Sequence, residues 1–540
     1  MTKNTFDRTI CAPATIPGTG AISIIRISGD DALDIADKVV TVKGKKITET
    51  DGYRLRYGKI EDEGGILIDE VVVSVFRAPH SYTGENSVEI SCHSSKYIVN
   101  AILRLLLNAG AEMAAPGEFT QRAFLNGKMD LAQAEAVADL IASSNAASHN
   151  VAMKQLKGGF SKELRTLRDK LLKMTSLLEL ELDFSEEDVE FAGREDLISL
   201  VDNTLTHINH LADSFSRGNA IKKGIPVVIA GSTNAGKSTL LNAIVGEDRA
   251  IVSDIAGTTR DTIEEVMTID GVQFRFIDTA GIRETDECVE RIGIERTFAK
   301  INEAAVVLGM VDASLGLDSI VSDIRQILDS TSQSENTRQI SDSNRHGGAK
   351  KTIILLNKCD LCCGQNSEKR HNTISDSSAG IDNTSLQKIN SNFAKTNITG
   401  IDNVKESANG NGLTQLLETA KIKDISDRIN DKSGIIGIIP ISAKYGTGLQ
   451  QLKDALSQTA ASIVGNTDET LVTNVRHYDA LVNASHCLSR VHSGLKDATI
   501  PVDLIAQDLR EALYHLGSIV GEISTDEVLG NIFKNFCIGK

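Results

Sequence analysis

The 540-residue sequence contains no tryptophan, and aromatic residues make up only 4% of it. That scarcity excludes a broad surface on which successive bases stack, because such surfaces are built from exposed rings. Excess positive charge is missing too: 57 Lys and Arg face 73 Asp and Glu, for a formal net charge of -16. A chain of that balance is no general nucleic-acid binder, so an RNA partner requires a local patch or a second protein that delivers it. No apolar run reaches the length of a membrane span, and the opening Met1-Thr2-Lys3-Asn4-Thr5-Phe6-Asp7 lacks a signal-peptide core. The eight cysteines are scattered, which fits reduced thiols better than a disulfide framework. These features predict a cytoplasmic protein with no membrane association. Cys359, Cys362, Cys363 and His371 have zinc-ligand character, but no second CxxC accompanies them, and they read as incidental thiols.

What is present is ordinary globular composition, 41% hydrophobic and 24% charged, at a length that predicts about three domains. Residues 1–125 mix strand-like runs (21–27, 53–60, 70–76, 87–92) with helical ones (30–39, 96–108), an α+β pattern. From residue 131 to about 215 the period turns helical. Leu164, Leu167, Leu171, Met174, Leu178 and Leu182 recur in steps of three and four, as the packing stripe of a bundle. Residues 225–461 alternate strands and helices as in a doubly wound sheet, and 473–536 return to amphipathic helices. The predicted fold class is therefore multidomain, α+β and α/β. An N-terminal domain (1–125) precedes a helical domain in two parts (126–220 and 465–540), with a P-loop domain (221–464) inserted. Polar stretches at about 330–350 and 364–432 read as mobile loop expansions that cannot bury a core.

The sharpest chemistry lies in Gly231-Ser232-Thr233-Asn234-Ala235-Gly236-Lys237-Ser238-Thr239, between the apolar run 227–230 and a helical one. Strand, glycine-rich turn and helix N-terminus form a phosphate cradle: backbone N–H groups face the phosphates, Lys237 neutralises charge and Ser238 can ligate Mg²⁺. Gly257-Thr258-Thr259-Arg260-Asp261 follows, whose Thr259 can close over Mg²⁺ and the γ-phosphate. Asp278-Thr279-Ala280-Gly281 ends a strand and puts a carboxylate near the Mg²⁺ shell. Asn357-Lys358-Cys359-Asp360 ends another, and Asp360 can accept hydrogen bonds from N1–H and the N2 amine of guanine, a pair adenine lacks. Ser442-Ala443-Lys444 can cover the base from the other side. The joint order identifies a GTP-binding domain. Ile282 stands where Ras-like enzymes carry a water-orienting Gln, and no arginine is obviously placed as a finger, Arg260 and Arg283 being nearby but uncommitted. An acid among Glu284, Asp286, Glu287 and Glu290 can orient water, and a monovalent cation reached by Asn234 can replace the guanidinium. Solvated acids and a merely hydrogen-bonded Asn234 are the plainer reading of the same residues.

The residues 234–238, 254–261 and 290–296 resemble the MnmE (TrmE) family of tRNA-modification GTPases, as do Pro116–Lys128, Asp130–Ala136 and the closing Phe536-Cys537-Ile538-Gly539-Lys540. The resemblance covers nearly the whole chain apart from the polar insertions. It implies a homodimer with a folate-binding N-terminal domain, partnered by the flavoprotein MnmG (GidA) in a heterotetramer. Together they would install an aminomethyl-type group (carboxymethylaminomethyl) at C5 of wobble uridine U34 in certain tRNAs. It further implies K⁺-stimulated hydrolysis when two G domains meet. In that scheme Asn234, Ser253, Ile255 and Thr258 surround K⁺, Ser238 and Thr259 bind Mg²⁺, and Glu290 orients water. The implied GTP contacts are residues 234–239, Ser253, Asp254, Ile255, Ala256, Gly257, Thr258 and Thr259, with Asp278, Thr279, Ala280 and Gly281. Asn357, Lys358, Asp360, Ser442, Ala443 and Lys444 complete them on the base side. Arg26, Glu89, Lys128 and Lys540 are implied to hold 5-formyl- or methylene-tetrahydrofolate. Strand alternation independently puts Arg26 beside Ile22 and Ile24 on a face where its guanidinium requires a partner, and Glu89 can be that partner. The apolar Ile532, Phe533 and Phe536 predict a C-terminal tail that docks, and Cys537 reads as binding or structural. Ser232-Thr233 depart from the basic-or-polar plus Pro pair usual before Asn234. Two rival readings share the motifs: an RNA-associated assembly GTPase, and a folate-binding regulatory scaffold.

Overall fold

The computed structural model describes residues 8–18, 20–183, 193–247, 265–277, 301, 304–315, 317–341, 350–362, 435–465, 469–497, 499–523, 526–534, 536 and 539. The chain divides into two compact units. One comprises Met1–Ser144, Ser148–Phe215 and Asp468–Lys540, the other Ser216–Thr467 with Asn145–Ala147.

The first unit opens with β1 (Ile10–Pro13), β2 (Ile22–Ser28), α1 (Ala32–Val39), β3 (Thr41–Val42), β4 (Arg54–Glu61), β5 (Leu67–Phe76) and β6 (Ser87–His93). Helix α2 (Lys96–Asn108) and β7 (Glu112–Met113) complete a seven-stranded sheet of order β3-β4-β5-β6-β2-β1-β7. In β5, Val71, Val73 and Val75 are buried while Glu70 and Val72 are exposed, the period-two pattern of a sheet with one covered face. That covered face packs Ile25, Ile27 and Ile90 against Ile35 of α1 and Ile102 and Leu106 of α2. The strands and helices predicted here all form. The short β1, β3 and β7 are additions, as is α3 (Glu118–Leu125), which begins before the predicted onset of helix.

Helices α4 (Leu131–Ala142), α5 (Ala146–Leu156), α6 (Gly159–Asp183) and α7 (Arg194–Lys223) follow. Helix α4 starts on a reciprocal cap: the Asp130 carboxylate accepts from Gln133 N, and the Gln133 side chain accepts from Asp130 N. Along α6 the predicted stripe is buried at Leu164, Leu167, Leu171, Met174 and Leu178; the side chain of Leu182 lies outside the described residues.

The second unit contains β8 (Ile225–Gly231), α8 (Lys237–Glu247), β9 (Glu265–Ile269), β10 (Val272–Phe276), β11 (Val306–Asp312), α9 (Leu317–Ser341), β12 (Lys351–Asn357), α10 (Cys359–Cys362), β13 (Ile435–Pro440) and α11 (Leu449–Val464). Its sheet order is β13-β12-β11-β8-β10-β9, parallel throughout except for the antiparallel β9 at one edge. Every residue of β11 is buried, as expected of a central parallel strand covered on both faces. One expectation is corrected: the polar stretch from residue 330 begins as helix, because α9 continues to Ser341. Its first turns are fixed by Ile320, Ile324, Ile327 and Leu328 against β11 and β12, and each added turn then needs no new nucleus. Ser330 and Thr331 return their hydroxyls to the helix carbonyls of Gln326 and Leu328. Residues 342–349 and 363–434 lie outside the described residues.

The chain closes with α12 (Val475–Lys496), α13 (Val502–Val520) and α14 (Asp526–Phe533), which belong to the first unit. Their Leu481, Leu488, Leu509 and Leu516 share one core with α6 and α7. No described helix is long and apolar enough to cross a membrane.

Candidate functional site

The phosphate-loop sequence leaves the sheet at the end of β8, between β11 and β10, and enters α8 at Lys237. Two glycines are required by geometry. At Gly231, φ is +152° and an added Cβ would stand 2.1 Å from the Met310 carbonyl oxygen on β11. At Gly236, φ is +101° and a Cβ would stand 2.3 Å from Asn357 Nδ2. Between them Asn234 adopts φ +63°, the left-handed conformation that asparagine tolerates better than other non-glycine residues. Its side chain is exposed. Lys237 Nζ donates to the carbonyls of Gly231 (2.7 Å) and Ser232 (2.8 Å), and burial pushes its pKa below the ordinary lysine value. Ser238 and Thr239 occupy the first turn of α8, where backbone N–H groups and the helix dipole favour an anion.

The base-side motifs converge on this loop through one residue. Asn357, at the end of β12 and 3% exposed, donates from Nδ2 to Ala235 O (2.7 Å) and accepts at Oδ1 from Ala443 N (2.9 Å). It therefore ties the phosphate loop to the Ser442-Ala443-Lys444 loop. Asp360 Oδ1 accepts from Ser442 Oγ at 2.7 Å, which fixes its carboxylate beside the same loop. Lys358, at φ +63°, reaches Asp312 Oδ2 at the end of β11 (2.6 Å). Burial raises the Asp312 pKa, but Lys358 and the Ser314 hydroxyl and amide outweigh it and hold the group ionised. Lys444 Nζ lies 5.3 Å from the centre of the Tyr445 ring. Asp312 was missed in the sequence; its only signal is an acid closing a fully apolar strand. Ser253 to Thr259, Asp278 to Gly281, and Glu290 lie outside the described residues.

In the first unit, Arg26 and Glu89 stand opposite each other on β2 and β6, and Arg26 Nε donates to Glu89 Oε1 at 2.9 Å. The guanidinium lies 5.2 Å from the Tyr82 ring centre and 5.6 Å from that of Phe119. Tyr82 donates to or accepts from Thr120 at 2.9 Å, and burial raises its pKa. Lys128 Nζ instead donates to Pro79 O at 3.0 Å. Beside this pair lies a network that sequence reading did not resolve. Arg122, 1% exposed, bridges Glu118 and Glu85, and Arg8 also reaches Glu118. The four-residue spacing of Glu118 and Arg122 was its visible signal. Near the C-terminus, Phe533 and Phe536 pack at Gly117, and Gly539 sits so close to β1 that a Cβ would stand 2.0 Å from Pro13 O. The expected docking of the tail is thus seen at Phe533, Phe536 and Gly539; Asn535, Cys537, Ile538 and Lys540 lie outside the described residues.

Comparison with known proteins covers both units. The family model described as "GTP-binding protein TrmE N-terminus" matches residues 9–128, and that described as "MnmE helical domain" matches 131–537. A tRNA modification GTPase MnmE of Bacteroides fragilis is 46% identical over 534 residues, covering 98% of this chain and 99% of that protein. One from Parabacteroides distasonis is 44% identical, covering 98% and 100%. With the phosphate loop, the Asn357 bridge and the docked tail in place, these matches assign the chain to the MnmE family of tRNA modification GTPases.

Proposed function

We propose that this chain hydrolyses GTP as a K⁺-stimulated homodimer. With the flavoprotein MnmG it would install an aminomethyl-type group at C5 of wobble uridine U34, drawing on a folate one-carbon unit. The observation that carries the nucleotide part is the Asn357 bridge. One side chain holds both the loop that cradles phosphate and the loop that covers the base, so both ends of a nucleotide are addressed by one rigid element. Gly231 and Gly236 let the loop close onto β11 and onto Asn357, where any side chain would clash, and the backbone N–H groups of the loop so held would meet the phosphates. Bound K⁺ and Mg²⁺ would supply the positive charge that an arginine finger supplies in other GTPases.

Each residue then has a defined task. Lys237, already seated on the loop carbonyls, would exchange them for β- and γ-phosphate oxygens. Asn234 would offer its amide oxygen to K⁺ with Ser253, Ile255 and Thr258, and Ser238 with Thr259 would hold Mg²⁺. Glu290 would orient the attacking water in place of the Gln that Ile282 displaces. The Asp360 carboxylate would accept from guanine N1–H and the N2 amine. In the first unit, Arg26, with its guanidinium near the Tyr82 and Phe119 rings and paired with Glu89, offers a planar cation suited to a pterin, and Lys128 and Lys540 would complete the contacts.

Turnover in KCl against NaCl tests the switch: a large excess in KCl, abolished in Asn234→Ala, is expected, and equal slow rates in both salts would refute it. Wobble-nucleoside analysis of tRNA from a deletion strain tests the pathway, where an unmodified uridine restored by this gene is the expected result and normal modification overturns it.

A further inference from the structure

Outside the nucleotide motifs, the first unit gathers three different metal-ligand types. The Sγ of Cys487 on α12 and side-chain donors of Glu511 and His515 on α13 all lie within 4.8 Å of one another. Glu511 and His515 are four residues apart, so they share one face of α13, and Cys487 meets them from the helix packed against that face. Cys487 is 2% exposed, whereas Glu511 is 51% exposed, so the cluster has a closed floor and an open side.

A cation already sits among these donors. Arg490 donates to Glu511 Oε2 at 2.7 Å, approaches Cys487 Sγ at 3.5 Å, and holds Asp508 Oδ1 through Nε at 2.8 Å. We propose that Cys487, Glu511 and His515 form a zinc-class divalent metal site that clips α12 to α13, with Arg490 as the resident cation that the metal displaces. The donor set selects the metal. Thiolate, imidazole and one carboxylate suit Zn²⁺ and not Mg²⁺ or Ca²⁺, which take oxygen ligands. Three protein ligands leave a fourth tetrahedral position for water on the exposed side. Zinc bonds of about 2.0–2.3 Å require the donors to close in, and the half-exposed Glu511 is the one free to turn.

The protons balance. Metal binding replaces the Cys487 S–H with an S–metal bond and releases one proton to solvent. Because the ligand is the thiolate, affinity rises with pH. His515 contributes an imidazole nitrogen, a ligand that binds metal in its neutral form. The site is independent of the nucleotide reading.

Titration of the full chain with Co²⁺, the spectroscopic substitute for Zn²⁺, tests it. The expected result is a thiolate-to-cobalt absorption band saturating at one equivalent. Cys487→Ser should abolish the band, while His515→Ala and Glu511→Gln should each weaken binding at least tenfold. Glu511→Gln keeps shape and sits at the surface, so it serves if Cys487→Ser fails to fold. A missing band in the unaltered protein, a band undiminished in Cys487→Ser, or unchanged affinity in both other variants would overturn the site.

Discussion

Asn357 shows how much one side chain can organise. Its amide is consumed by two backbone groups on different loops, Ala235 O and Ala443 N, so its contribution is positional. Asn357→Ala leaves both groups without that partner in a buried setting, at a cost of about 2–4 kcal/mol to the second unit. Urea unfolding followed in that unit would measure this, and GTP affinity should fall with it. An unchanged denaturation midpoint would show that the loops do not depend on the bridge. At this scale the sequence was legible where chemistry is written in residue types. Asn357, Asp360 and Ser442 could be named from their order along the chain, and Asp360 does meet Ser442. The pairing of Lys358 with Asp312 could not, because the two are brought together by strand order and not by spacing.

Among elements, the legible ones were those with long periodic patterns. The α6 stripe and the β5 alternation each carry enough repeats to fix a face. The four residues of β1 and the two of β7 carry none, and they exist because neighbouring strands offer them hydrogen bonds. The stripe makes a contrast testable in one helix. Leu171→Ala, fully buried, should cost about 2–5 kcal/mol, while Leu172→Ala, 44% exposed, should cost under about 1 kcal/mol, both read by denaturant unfolding. A second prediction concerns the joint between α4 and α12. Glu135 there accepts from Asn474 (3.0 Å) and Arg476 (3.0 Å) and pairs with His477 (2.6 Å). Burial pushes its pKa up, but His477 and Arg476 more than offset this and hold it at about 2, against an ordinary 4.5. Because the folded value is the lower one, the stabilisation is complete above pH 4.5 and is lost as pH falls toward 2. Stability measured across that window should drop by a few kcal/mol, roughly. In Glu135→Gln the slope over the same window should flatten; an equal slope would assign the acid sensitivity elsewhere.

Over the whole molecule, the helical core is assembled from two distant parts of the chain. Helices α6 and α7 precede the inserted unit, and α12 and α13 follow it, yet they bury one another's leucines. A chain ending at Thr467 would expose Leu171, Leu178 and Leu211, and should lose cooperative unfolding of α4 to α7 while the sheet of the second unit persists. Limited proteolysis with circular dichroism would check both halves of that statement. The seam is sealed close to the insertion itself, where Ser214 Oγ accepts from Val472 N at 3.0 Å and Gln155 Nε2 donates to Leu471 O at 2.9 Å. Those partners are separated by 258 and 316 residues. On a ribosome adding roughly 5–20 residues each second, α5 to α7 therefore wait on the order of 10–60 s after emerging before their partners arrive. During synthesis the leucine stripe is a surface looking for cover, and a chaperone that binds such stripes is the natural custodian of the interval.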